Sequence, residues 1–169
     1  MRDLADEMGI TGASLYNAFG DKRALYRRAL DQYIADSFVE RSHRIESTLP
    51  PREAIGAFFR EIIARSLGDK QRKGCMLVNT ALELAPHDPE FQRVVAQVFV
   101  RIEAFFRRLI QAGQRDGTIA ASQPANDLAR LLLGALLGIR VLARARPERE
   151  LLEGLARPAL ALLDFGLAA

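Results

Sequence analysis

The sequence is poor in the residues that most often mark a site: it has no tryptophan, two histidines and one cysteine, Cys75. A single cysteine excludes an internal disulfide and fits a reducing compartment. His43 and Glu46 stand three apart on a possible helix end, but one histidine and one acid do not close a metal site, and His87 lies in a turn between Pro86 and Pro89. No Ser/His/Asp or Cys/His set is supported by local sequence, and no glycine loop of the phosphate-cradling kind occurs. An enzyme would have to rely on carboxylates, whose scatter is that of solvated helix faces. The chain is therefore expected not to be an enzyme, with no cofactor and no metal. The longest uncharged run, Leu131 to Ile139, is closed by Arg130 and Arg140 and falls far short of the ~20 residues a bilayer span requires. With no apolar signal core at the amino terminus, a cytoplasmic protein with no membrane partner is expected.

What is present is helical. Strand-like alternation persists nowhere, and leucine and alanine dominate an apolar fraction of 49%, which argues against disorder and for an all-α fold. Asp21 is placed to cap a helix carrying Leu25, Ala29, Ile34 and Phe38 to about Arg41. Pro51 then opens a helix with Ile55, Phe58, Phe59, Ile62 and Ile63 on a broad apolar face. A helix is expected from Gly74 to Ala85. Asp88-Pro89-Glu90 starts a long one, apolar over more than one face, that ends at Asp116-Gly117. Two more are expected from Gln123 to Ala145 and from Pro147 to Leu167. In the first, Gly134 and Gly138 stand four apart so that another backbone can approach; the second carries Leu151, Leu152, Leu155, Leu162, Leu163 and Phe165, with Pro158 kinking it.

The most informative stretch is the first one. Leu4, Ala5 and Met8 share a face of a short helix, Gly9 opens a turn, and Thr11 caps a second short helix that buries Leu15 and Phe19. That is a helix-turn-helix, with Gly12, Ala13, Ser14, Tyr16 and Asn17 turned toward where a major groove would lie. Charge does not point the same way. Over residues 1 to 30, Arg2, Lys22, Arg23, Arg27 and Arg28 exceed Asp3, Asp6, Glu7 and Asp21 by a single charge.

The run Arg2-Asp3-Leu4-Ala5, Gly9-Ile10-Thr11, Ser14-Leu15-Tyr16, Phe19, Asp21-Lys22 and Ala24-Leu25 resembles the DNA-binding signature of the TetR family of transcriptional regulators. The likeness is dense to about residue 35; beyond it, only the helical layout and Gly74-Cys75-Met76-Leu77-Val78-Asn79 look like the family. The resemblance implies a partial DNA-binding head with its connecting helix over 1–41 and a ligand-binding and dimerisation bundle over 42–169. It also implies a ligand-responsive regulator, a repressor acting as a homodimer on a palindromic double-stranded operator. Family members carry a further amphipathic helix ahead of this motif, and Met1 falls inside the helix that should be second; a shortened chain or an internal start is the expected reason. If Met1 is the true start, the alternative is a helical ligand-binding or dimerisation protein without DNA affinity.

Carried over residue by residue, the resemblance puts Gly12, Ala13, Ser14 and Asn17 at base edges, and Thr11 and Tyr16 on backbone or thymine methyl. Arg2 approaches the groove from the preceding helix, and Lys22 meets a phosphate at a helix start. It places Phe58, Phe59, Ile62, Thr80 and Leu84, together with Val98, Phe99, Ile102, Phe105 and Phe106, around an inducer, which implies a small, largely apolar or aromatic effector; each taken singly could equally be core. It assigns Leu131, Gly134, Leu136, Gly138, Leu152 and Leu155 to a four-helix dimer interface, although their apolarity alone could equally be intramolecular core. Cys75, beside Arg72 and Lys73 in the opening turn of its helix, could be a redox or electrophile sensor or a small buried hydrophobe.

Overall fold

Helix starts follow from the residues that precede them. In the computed structural model, which describes residues 2–164, Thr11 caps α2 (Gly12–Phe19) through its Oγ1, which accepts from the Ser14 amide at 3.0 Å. Asp21 caps α3 (Lys22–Ile34) by accepting from the Ala24 amide at 2.7 Å. Asp88 accepts from the amides of Glu90 and Phe91 at the head of α7 (Pro89–Asp116), where Pro89 lacks a donor that would otherwise go unused. At the corner between α1 (Arg2–Met8) and α2, Gly9 takes φ 65°, and Gly20 takes φ 79° between α2 and α3. A side chain at either place would strain the turn.

The remaining helices are α4 (Glu40–Thr48), α5 (Pro51–Leu67), α6 (Met76–Glu83), α8 (Ala125–Ala145) and α9 (Arg149–Ala161); with these the described residues are all-α, without strands. Several boundaries differ from the sequence expectation. The helix begun at Lys22 does not stop near Arg41 but continues to Thr48 through one π turn, Ala35–Val39, because nothing before Pro50-Pro51 breaks it and Ile45 keeps the apolar face going. The expected boundary between residues 41 and 42 thus falls inside a continuous helical rod. α6 begins two residues late, since Gly74 has φ 74° and Cys75 is extended. Pro124 is the cap of α8 and delays it to Ala125. α9 ends at Ala161 with Pro158 inside it, and the expected continuation through Phe165 to Leu167 lies outside the described residues.

The core belongs to the body. α7 packs on α5 and α8, α9 closes against α8 and α5, and α4 lies on α5. Phe58, Phe59, Phe105 and Phe106 are all within 2% exposure at its centre, with ring centroids 5.2 Å apart for Phe58 and Phe105 and 5.8 Å for the stacked Phe59 and Phe106. The far half of the rod contributes Leu30, Ile34, Phe38 and Ile45 to the same cluster. α1 and α2 lie outside it, meeting each other and the start of α3.

Candidate nucleic-acid interface and effector chamber

The corner made by α1 and α2 hides two side chains, Ala5 and Leu15, and presents the rest. All eight residues expected to meet DNA are exposed: Arg2, Thr11, Gly12, Ala13, Ser14, Tyr16, Asn17 and Lys22. Tyr16 is 58% exposed, so it does not pack inward. Thr11 Oγ1 and Ser14 Oγ lie 2.8 Å apart, so the cap also holds the Ser14 hydroxyl in place. Leu4, Met8 and Ile10 stand exposed on this head as well.

The start of α3 fastens the head to the body. Arg23 Nε donates to Asp88 Oδ2 at 2.8 Å, its Nη2 reaches Glu90, and Arg27 Nη1 donates to Glu90 Oε1 at 3.0 Å. Arg23 holds the Asp88 carboxyl down at about 2, and lowers Glu90 as well. Between these arginines Tyr26 sets its ring edge on Phe91, centroids 5.6 Å apart. Its hydroxyl donates to Thr80 Oγ1 at 2.8 Å, because the Thr80 proton is already committed to the Met76 carbonyl at 2.7 Å. Nothing local in the sequence marks this joint, because its partners are more than fifty residues apart.

Behind the joint opens a chamber of about 720 Å³, walled by Tyr26 and Tyr33 of α3, Arg65 and Ser66 of α5, the 68–75 loop, Asn79 and Glu83 of α6, and Arg140 and Ala143 of α8. A narrow apolar cleft of about 40 Å³ adjoins it, with Tyr33, Cys75 and Arg140 as shared wall. The ten residues expected around an effector divide accordingly. Phe58, Ile62, Val98 and Ile102 line the cleft. Phe59, Phe105 and Phe106 are corrected to core, because the rings pack on one another and leave no space between them. Thr80 is fully buried and reaches the chamber through Tyr26, while Leu84 and Phe99 pack half-buried against the core. The wall of the chamber is mixed, apolar surface alternating with Arg65, Asp69, Lys73, Glu83 and Arg140, while the cleft is apolar.

Cys75 is not in a helical turn but at the cap position before α6, 7% exposed, where its Sγ accepts from the Tyr33 hydroxyl at 3.3 Å. Burial, and then Cys75 itself, push the Tyr33 phenol up to about 12.

Of the six residues assigned to a dimer face, Leu131 is 42% exposed and Gly134 and Gly138 have open space where a Cβ would stand. With Val141, 46% exposed, they form one stripe along α8, and Leu155 is half-buried on α9 beside it. Leu136 and Leu152 are corrected to core, at 5% and 0% exposure, since they point into the same chain. Among the described residues no group of three or more His, Cys, Asp or Glu could hold a metal ion; Glu46 pairs with Arg108 at 3.0 Å. Nor, among them, is any helix long and apolar enough to cross a membrane.

With this geometry in hand, known proteins are informative. A family model described as "Tetracyclin repressor-like, C-terminal domain" matches residues 51–158. The uncharacterized HTH-type transcriptional regulator YezE of Bacillus subtilis is 28% identical over 97% of this chain and 85% of its own length. The HTH-type transcriptional repressor ComR of Escherichia coli is 24% identical over 96% and 78%. Among solved structures, the TetR family transcriptional regulator CifR, as a cysteine mutant complexed with a 26bp double-strand operator DNA, superposes with TM-score 0.80 at 30% identity, covering 94% of this chain and 83% of that one. A TetR transcriptional regulator from Chloroflexus aurantiacus shares the fold at TM-score 0.82 and 24% identity, over 96% and 82%.

Proposed function

The chain belongs to the TetR family of transcriptional regulators, and from that premise we propose that it is a ligand-responsive repressor that binds a palindromic operator as a homodimer. It works by binding and not by catalysis, in the cytoplasm where its operator lies. α2 enters the major groove with Gly12, Ala13, Ser14 and Asn17 at base edges, Asn17 being suited to adenine. Thr11, Tyr16, Arg2 and Lys22 fix the register on phosphate and methyl groups. The α8 stripe of Leu131, Gly134 and Gly138, with Leu155, pairs with its symmetry mate, which holds two heads at the ~34 to 36 Å that successive half-sites require.

The observation that carries this reading is Tyr26. One side chain of the helix that follows the reading corner touches α6 through Thr80, α7 through Phe91, and the chamber wall. A ligand that displaces α6 is therefore felt at the root of the head. It shifts the population of head spacings by as much as its affinities for the two forms differ.

The test is selection of duplexes from a random pool, followed by electrophoretic shift at several salt concentrations. Wild type should select an inverted repeat with a steep salt slope. Asn17→Ala should cost about 1–3 kcal/mol and relax one base position, and Lys22→Ala should flatten the slope by about one phosphate contact. A protein that selects no sequence and shows no salt slope is a ligand-binding and dimerisation protein only.

A further inference from the structure

We propose that the chamber takes an organic monoanion, a carboxylate carried on a short aromatic or branched apolar body, with Arg140 as its anchor. The proposal rests on the reading of the chamber as the effector site and names the chemistry of its occupant.

Charge is the first reason. Three cations on the wall, Arg65, Lys73 and Arg140, face two carboxylates, Asp69 and Glu83, leaving one positive charge in excess. Both carboxylates have other partners: Asp69 Oδ2 accepts from the Gly74 amide at 2.8 Å, and Glu83 lies 3.4 Å from Arg144. Among the described residues, none of the three cations has a carboxylate within ion-pair distance. Arg140 differs from the unpaired arginines of the outer surface in being only partly exposed, at the wall shared by chamber and cleft. One of its N–H groups donates to Ser66 Oγ at 3.1 Å, and the rest of the fork has no protein acceptor among the described residues. A guanidinium fork with free donors in a recess matches a carboxylate in shape and charge.

The surroundings sharpen the preference. Arg41, buried at the foot of the same region, is lowered first by burial and then by Arg140 and Arg65, so positive charge is concentrated there; Glu61, which Arg41 shares with Arg44, offsets part of it. An anion relieves that repulsion where a neutral molecule cannot. Tyr33 adds a donor: its phenol stays protonated at neutral pH, and the hydroxyl now bonded to Cys75 can turn to a carboxylate oxygen.

Size and polarity describe the rest of the ligand. With a carboxylate on Arg140, its apolar body stands at the mouth of the cleft formed by Phe58, Ile62, Val98 and Ile102. At about 40 Å³ the cleft admits a methyl group or a ring edge, so the body itself stays in the 720 Å³ chamber.

The experiment titrates the full chain, at fixed ionic strength, with benzoate and phenylacetate and with their neutral isosteres benzamide and phenylacetamide, by calorimetry. The acids should bind about tenfold or more tighter than the amides. Arg140→Gln should erase that preference and Arg140→Lys should keep part of it. The comparison of acids with amides on wild type stands even if a variant folds poorly. Amides binding as well as acids, Arg140→Gln binding the acids like wild type, or no saturable binding of either acid at millimolar concentration would overturn the proposal. An operator shift run alongside separates the two readings. Acids that bind without changing operator affinity keep the anion site and remove its role as effector site. Amides that bind as well as acids and release the operator keep the effector site and remove the anion.

Discussion

From Arg2 to Ala24 the buried side chains are Ala5 and Leu15, whereas α5 alone buries nine residues along seventeen. The two regions answer opposite demands. The body commits its apolar residues to one another, while the corner leaves Gly12 to Asn17 exposed except for Leu15. α3 ties this corner to the body, through Tyr26 and the arginine pairs with Asp88 and Glu90. The place of the corner is thereby linked to α6 and α7.

The contrast can be broken deliberately. The largest effect is expected from Phe106→Ala, which opens a cavity among stacked rings at 0% exposure; about 3–5 kcal/mol should be lost, and head and body should unfold together in urea. Leu15→Ala removes an equally hidden side chain but from the head alone. Operator binding should vanish while amide exchange in α5 and α7 stays slow; a body that melts along with it would show that the two regions are one cooperative unit. The smallest effect is electrostatic. Because Arg23 depresses the folded-state Asp88 carboxyl from its ordinary 3.8 to about 2, the pairing contributes fully above pH 3.8 and is lost as pH falls through about 2. Carbon-detected NMR of Asp88 should show that low midpoint, and Arg23→Ala should raise it, while the Glu90 and Phe91 amides keep their own lowering pull.

How much of this was legible depends on how local the physics is. The capping residues Thr11, Asp21 and Asp88 announce their helices because a cap acts within three residues. The exposed residues of α2 and its cap lie together in sequence, so a short polar face could be recognised as one. The chamber could not: its wall comes from α3, α5, a loop, α6 and α8, and part of its chemistry is charge, whereas the phenylalanines that drew attention are apolar enough to seek each other. Leu136 shows a different failure. Two residues beyond Gly134 is about 200° round a helix, so a residue grouped with the open glycine stripe had to face the opposite way.

The π turn at Ala35–Val39 has a consequence for how the rod transmits. One residue beyond the α-helical count offsets the two sides of the turn by about 100° relative to an unbroken α-helix of the same sequence, so this turn sets the azimuth at which the α1–α2 corner faces outward. Ser37 and Phe38 of that turn also line the apolar cleft. Forcing this turn into an unbroken α-helix without deleting a residue would swing the aim of the head by about 100° while leaving its chemistry untouched.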